Sequence, residues 1–305
     1  MTFTVAVSGK GGTGKTTVAA LIIRALTEQF GETVLAVDAD PNSTLGMMFG
    51  VRVTETVSDL REDVVEKRVK VDPGASRERQ IEMMIHETLV ECEGFDLLTM
   101  GRPEGPKCYC YVNHMLRNFL DGLSTSAPFV VIDNQAGMEH LSRLTTNDVN
   151  LLLEVATPTV ADIVAARRID ELVGKLPIKV ARKGLVINRE LDHTSGVPER
   201  NESRPGAPDK VEKPLGGPQT QFRAFGVPAR GLERVERLIA EGRLELLGRI
   251  PLSETIAGLS AEGKPITKLS LDDPAAKAVT EIVKRCVLGK GNTKTRIPDS
   301  KPGGA

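Results

Sequence analysis

The chain has 305 residues, 40% hydrophobic and 27% charged, with a formal net charge of −1. That length is ample for a buried core, and the charge balance excludes a global field drawing the chain to nucleic acid or an anionic membrane. With no Trp and two Tyr it offers no stacking platform for single strands, it has no run of about 18 apolar residues to span a membrane, and the short apolar run at 3–7 lacks the basic start of a signal peptide, so a cytoplasmic protein that binds neither nucleic acid nor membrane is expected.

Apolar residues predict a strand at 3–8. The next segment, 15–30, reads as a helix with Val18, Leu21, Ile22, Ala25 and Leu26 on one face. A strand at 33–37 follows, and then a helix starting near Asn42 or Ser43. Helical spacing runs over 55–92, broken at Asp72-Pro73-Gly74. Further strands are expected at 95–100, 129–132, 149–156, 183–187 and 244–250, and further helices at 112–123, 160–172, 254–258 and 275–287. Alternation of this kind implies an α/β fold with a doubly wound, mostly parallel sheet, and strands apolar along their whole length fit burial on both faces. Residues 192–228, rich in Pro, Gly and charge, read as a surface insertion. Residues 289–305 read as a flexible tail, leaving one domain over 1–288.

Between the first strand and first helix lies Gly9-Lys10-Gly11-Gly12-Thr13-Gly14-Lys15-Thr16-Thr17. It fits the G-x-x-x-x-G-K-[ST] pattern in the context that pattern requires. Gly11, Gly12 and Gly14 let backbone N–H groups, with those of Thr13 and Thr17, turn toward phosphate oxygens, and the helix end adds a positive pole. Lys15 then reaches the β- and γ-phosphates of ATP or ADP, and Thr16 ligates Mg²⁺. With Lys10 the run resembles the deviant Walker A of the MinD, ParA and nitrogenase-iron-protein group. That resemblance implies that Lys10 serves a partner's nucleotide and that ATP favours a homodimer.

Asp38 and Asp40, in Val37-Asp38-Ala39-Asp40-Pro41, follow the second strand and face the crevice of such a sheet. The resemblance implies that Asp40 orients the attacking water and Asp38 supports Mg²⁺; capping of the following helix is the alternative for both. Asp133 ends an apolar strand and reads as the carboxylate that holds Mg²⁺ through water. Gly137 lets a switch loop approach the γ-phosphate. By resemblance Asn188 reads adenine and Pro251 lies beside the base, although a turn-forming Pro251 fits as well.

Cys108-Tyr109-Cys110 carries a second chemistry. In an extended segment residues i and i+2 share a side, so both sulfurs can ligate one metal, whereas a disulfide across one residue is strained. Two thiolates leave a four-coordinate sphere half filled; two copies of the chain complete it. Two buried or incidental cysteines are the alternative here, and Cys92 and Cys286 are read as buried.

The run Gly101-Arg-Pro-Glu-Gly-Pro-Lys-Cys-Tyr-Cys-Tyr-Val-Asn-His-Met-Leu-Arg117, together with Asp133-Asn-Gln-Ala-Gly-Met-Glu-His-Leu-Ser-Arg143, resembles the nickel-maturation ATPases of carbon monoxide dehydrogenase, the CooC type. The resemblance spans most of 1–190 and, more loosely, 244–288. It implies an ATP-dependent dimer that binds nickel, or zinc, between two copies through Cys108 and Cys110. Its client would be carbon monoxide dehydrogenase or acetyl-CoA synthase. Glu139 and His140 match the switch of that family. Three positions depart from it: Gln135 replaces Glu, Lys107 replaces Gly beside the thiols, where it favours thiolate, and His114 replaces Asn. Two rivals stand beside this reading. A nitrogenase-iron-protein-like reductase would bridge its dimer with a [4Fe–4S] cluster, but its cysteines are well separated. A MinD/ParA-type switch would handle no metal.

Overall fold

The structure, a computed structural model, describes residues 2–31, 33–60, 83–102, 127–135, 148–176, 178–191, 229–242 and 244–288. The expected helix at 112–123, the break at 72–74, the insertion at 192–228 and the tail at 289–305 lie outside them, as do Lys107, Cys108, Cys110, His114, Gly137, Glu139 and His140.

An apolar strand β1 (Phe3–Gly9) runs directly into the glycine-rich loop and helix α1 (Lys15–Phe30). Gly14 enters the helix at φ 90°, and Gly31 closes it at φ 60° with its N–H on the Thr27 carbonyl, the left-handed cap that glycine adopts without a Cβ penalty. Strand β2 (Val34–Ala39) is buried at every position, as a strand covered on both faces must be. It is followed by α2 (Leu45–Phe49), then β3 (Val90–Cys92), β4 (Phe95–Thr99), β5 (Phe129–Asn134) and β6 (Asp148–Ala156). Next come α3 (Val160–Val173), β7 (Lys179–Glu190), α4 (Ala229–Ala240), β8 (Glu245–Pro251), α5 (Glu254–Ala261) and α6 (Pro274–Val283).

The eight strands form one sheet in the order β3-β4-β2-β5-β1-β6-β7-β8. Every pairing is parallel except β3 with β4, so the doubly wound, mostly parallel sheet expected from the sequence is present. One face carries α1 and α6, whose buried Val18, Leu21, Ile22, Leu26, Val279 and Ile282 share a core with Val5, Val7 and Leu153. Each such side chain contributes roughly 1.5–3 kcal/mol on burial. The other face carries α3, with Ile163 and Ala166 against Ala156, Leu185 and Ile187.

Local details differ from expectation. The helical spacing over 55–92 covers helical turns at 57–60 and 83–87, but Val90–Cys92 is an antiparallel edge strand. The second strand reaches Ala39, so Asp38 lies inside it, and the next helix begins at Leu45, later than Asn42 or Ser43. The strand expected at 183–187 spans Lys179–Glu190, and helix Ala229–Ala240 was not expected.

Candidate nucleotide site

The parallel strands β1, β2 and β5 end together. Asp133 pairs in register with Val7 on one side and Asp38 on the other, so the phosphate loop and two carboxylates share one rim of the sheet. Such a rim, beside a central strand whose flanking connections diverge, is where doubly wound sheets take ligands.

The loop holds its own shape. The Thr13 hydroxyl donates to the Lys10 carbonyl at 2.9 Å, and Lys15 Nζ lies 3.3 Å from the same oxygen. A Cβ on Gly14 would sit 2.4 Å from Asn188 Nδ2, so this glycine is required both for its positive φ and for the close approach. No side chain caps the start of α1, where unsatisfied N–H groups suit an anion.

Lys15 is buried, and that burial pulls its pKa below the ordinary lysine value against the opposing pull of Asp133 and Asp40. Asp133 is fully buried, and neither carboxylate oxygen meets a hydrogen-bond partner. Burial pushes its pKa up to about 7; the Thr16 hydroxyl and Lys15 pull it down, and Asp38 and Asp40 push it further up. A buried carboxylate without a partner is stable only when neutralised, paired or bound to a cation. The pair Thr16 and Asp133 therefore fits a divalent cation at this rim.

Asp38 is spent differently. Its Oδ1 accepts the Asp40 N–H at 3.1 Å and its Oδ2 accepts the Leu45 N–H at 2.8 Å. Burial raises its pKa to about 6 against those two bonds. The capping alternative thus describes Asp38 as it stands: it fixes the turn that carries Asp40. Asp40 is half-buried and accepts from the backbone and side-chain N–H groups of Asn42.

Lys10 Nζ lies 2.9 Å from Asp162 Oδ1, in the first turn of α3. Burial opposes ionisation of Asp162, but the Thr157 hydroxyl and Lys10 hold its carboxyl below the usual aspartate range. Asn188, at the end of β7, donates from Nδ2 to the Thr13 carbonyl at 2.8 Å, and its Oδ1 accepts the Arg189 N–H. Pro251 ends β8 beside Glu190.

The structure therefore brings Lys10, Lys15, Thr16, Asp38, Asp40, Asp133 and Asn188 to one rim. Gly11, Gly12, Thr13, Gly14 and Thr17 make up the loop and the first turn of α1. Sequence reasoning missed Asp162 and Arg189. The only signals were an acid in the first turn of a capped helix and a cation beside Asn188.

The chain matches the CobQ/CobB/MinD/ParA nucleotide binding domain over residues 4–202. An uncharacterised ATP-binding protein of Methanocaldococcus jannaschii is 34% identical over 288 residues, covering 94% of this chain and 99% of that protein. The carbon monoxide dehydrogenase accessory protein CooC of Rhodospirillum rubrum is 31% identical over 186 residues, 57% of this chain and 70% of that one. Among solved structures, the septum site-determining protein MinD of Pyrococcus horikoshii, in complex with Mg-ADP, superposes with a TM-score of 0.60 at 21% identity, covering 93% and 96% of the two chains. That last likeness shows the fold; the match over 4–202 shows the family. With a phosphate loop, a second lysine at position 10 and the carboxylates of Asp38, Asp40 and Asp133 on one rim, this chain belongs to the CobQ/CobB/MinD/ParA family of nucleotide-binding P-loop ATPases.

Proposed function

We propose that the protein is an ATP-hydrolysing, dimeric metallochaperone that carries nickel, or zinc, on Cys108 and Cys110 of two copies. It would deliver the metal to carbon monoxide dehydrogenase or acetyl-CoA synthase in the cytoplasm. The observation that carries the reading is the Cys108-Tyr109-Cys110 pair in a chain of this ATPase family. The 31% identity with CooC over 186 residues supports it. Thiolates two residues apart suit a soft or borderline cation, and a second copy supplies the remaining two ligands.

In this reading Lys15 and the loop N–H groups hold the β- and γ-phosphates, and Asn188 and Pro251 flank the base. Asp40 orients a water that attacks the γ-phosphorus as the bond to ADP breaks. Lys10 serves the partner's nucleotide. Mg²⁺ at Thr16 and Asp133 supplies neutralisation of the charge on the transferred phosphoryl group. Asp133 leads by sequence into 136–143, so nucleotide state alters the metal affinity of the thiols. Such a coupling requires the two states to differ in affinity.

The test is an anaerobic nickel titration by equilibrium dialysis with ATP, ADP or no nucleotide. Wild type is compared with Cys108→Ser/Cys110→Ser, and mass is read by light scattering. The reading expects one nickel per dimer, lost in the double variant and dependent on nucleotide. Intact ATP hydrolysis with no metal bound by reduced protein removes the metal role and leaves a nucleotide switch. A brown anaerobic preparation with acid-labile sulfide replaces it with an iron–sulfur reductase.

A further inference from the structure

Arg189 is the one non-glycine residue besides Ser43 with positive φ among the described residues, at 60°. It sits at an irregularity in the β7–β8 pairing: Asn188 pairs with Ile250 and Glu190 with Pro251, and the register shifts between them. Bulges of this kind re-aim a side chain out of the sheet. Here the side chain is turned onto the phosphate loop, where Nη1 donates to the Gly12 carbonyl at 3.2 Å. Its neighbour Asn188 donates to the next carbonyl, that of Thr13. Both bonds are made to carbonyl oxygens, so the N–H groups in the same peptide planes, those of Thr13 and Gly14, point the other way; that of Thr13 closes on the Lys10 carbonyl at 3.4 Å.

The bulge is held from behind. Glu190 pairs with Arg249 at 2.5 Å, Arg249 also grips Glu236 of α4 at 2.7 Å, and the Glu190 carbonyl accepts the Leu252 N–H at 2.8 Å. A left-handed arginine costs on the order of 1 kcal/mol or more and persists only where its surroundings over-determine it. An exposed arginine that merely covered the surface would gain nothing from that conformation.

We propose that Arg189 is a positioning residue for nucleotide binding. With Asn188 it clamps the outward carbonyls of Gly12 and Thr13, so that the loop N–H groups converge on phosphate before nucleotide arrives. The clamp acts through the loop, which would hold the diphosphate part common to ADP and ATP, so it acts alike on both. The proposal rests on the family-level reading of nucleotide binding.

The experiment uses the full chain and two variants. Arg189→Gly removes the guanidinium and also relieves the positive φ, so it spares the fold. Arg189→Lys restores a donor. Affinity for Mg-ADP and for a non-hydrolysable Mg-ATP analogue is measured by calorimetry, with Lys15→Ala as the non-binding control. Loss of one charge-assisted bond predicts about tenfold weaker binding of both nucleotides by Arg189→Gly. Arg189→Lys should recover part of it, with KM rising by more than kcat falls and the nucleotide-free melting temperature not lowered. Wild-type affinity in Arg189→Gly, or a loss that only follows a lowered melting temperature, overturns the proposal. Folded wild type that binds neither nucleotide overturns the reading of the loop itself, and the clamp with it.

Discussion

Lys10 and Asp162 form an ion pair within one chain, Nζ to Oδ1 at 2.9 Å, across 152 residues of sequence. The lysine side chain is half exposed and the aspartate is nearly covered. A lysine expected to reach a second copy is therefore held at home by the first turn of α3. In the dimer proposed above, the partner's nucleotide would compete with Asp162 for the same ammonium group.

Asp162→Asn should accordingly favour the dimer. It keeps an oxygen for the Thr157 hydroxyl but removes the charge that holds Lys10. Exposed pairs are worth about 0.2–1 kcal/mol, so a non-hydrolysable ATP analogue should dimerise the variant up to about fivefold more tightly by sedimentation velocity. A weaker dimer would mean that Asp162 itself contacts the partner. The sign with pH follows from its depressed pKa. The stability that the pair contributes is present above the unfolded aspartate value and is lost as pH falls through the folded one. The difference between variant and wild type should therefore shrink in acid.

Gly14→Ala should damage the site and the fold together. Its φ of 90° is strained for alanine, and the added Cβ would meet Asn188 Nδ2 at 2.4 Å. A cost of about 1–3 kcal/mol is expected from the backbone alone. The displaced Asn188 also loses its bond to Thr13. Thermal melts should show lower stability, and Mg-ADP should no longer raise the melting temperature. Wild-type behaviour in both measurements would mean that the loop adopts another path in solution.

Asp133→Asn should stabilise the nucleotide-free protein while abolishing hydrolysis. The carboxylate is buried with no hydrogen bond closed to either oxygen, and its pKa is pushed up to about 7 against the pull of Thr16 and Lys15, so at pH 8 the folded state carries a poorly solvated charge. Removing that charge should raise the melting temperature by a few degrees, at roughly 2–4 °C per kcal/mol for a domain of this size. A lower melting temperature would show that Asp133 is a structural carboxylate and not a held-open cation ligand.

These residues were not equally legible. The loop Gly9–Thr17 and the strand before Asp133 could be read because the information is local: a run of apolar residues, a glycine pattern, a helix start. The Lys10–Asp162 pair could not, because no periodicity links residues so far apart; only the closing of α3 against the rim brings them together. Helix Ala229–Ala240 was hidden by its composition. Its Arg and Glu continue the charge of the polar segment before it, and its inner face, Val235, Leu238 and Ile239, spans little more than one turn. Strand Val90–Cys92 is three residues long and exists through its antiparallel pairing with β4. Helical spacing upstream therefore masked it. Arg189 owes its direction to a bulge, which depends on the register of two strands and is not encoded in either one.

Glu154 gives the cleanest test of how burial acts on the face of the sheet that carries α3. It lies on β6 between Ser8 of β1 and Leu185 of β7, fully buried, with both carboxylate oxygens unpartnered. Burial pushes its pKa up to about 9, Asp170 pushes it further, and Lys183 opposes. Lys183 is already spent on Asp170 at 2.7 Å. A carboxyl whose folded pKa is raised contributes its full stability below the ordinary glutamate value, and that stability drains as pH rises toward 9. Near pH 7 the protonated side chain costs up to about 3 kcal/mol relative to an unfolded chain in which it ionises freely. Glu154→Met keeps the length, removes the charge and suits the apolar neighbours Leu152, Ala156 and Leu185. Its melting temperature should exceed wild type by on the order of 5–10 °C at pH 7.5, and by much less at pH 5, where glutamate is largely neutral in both states. An equal gain at both pH values would assign the effect to packing, and a loss at pH 7.5 would mean that Glu154 is ionised and paired.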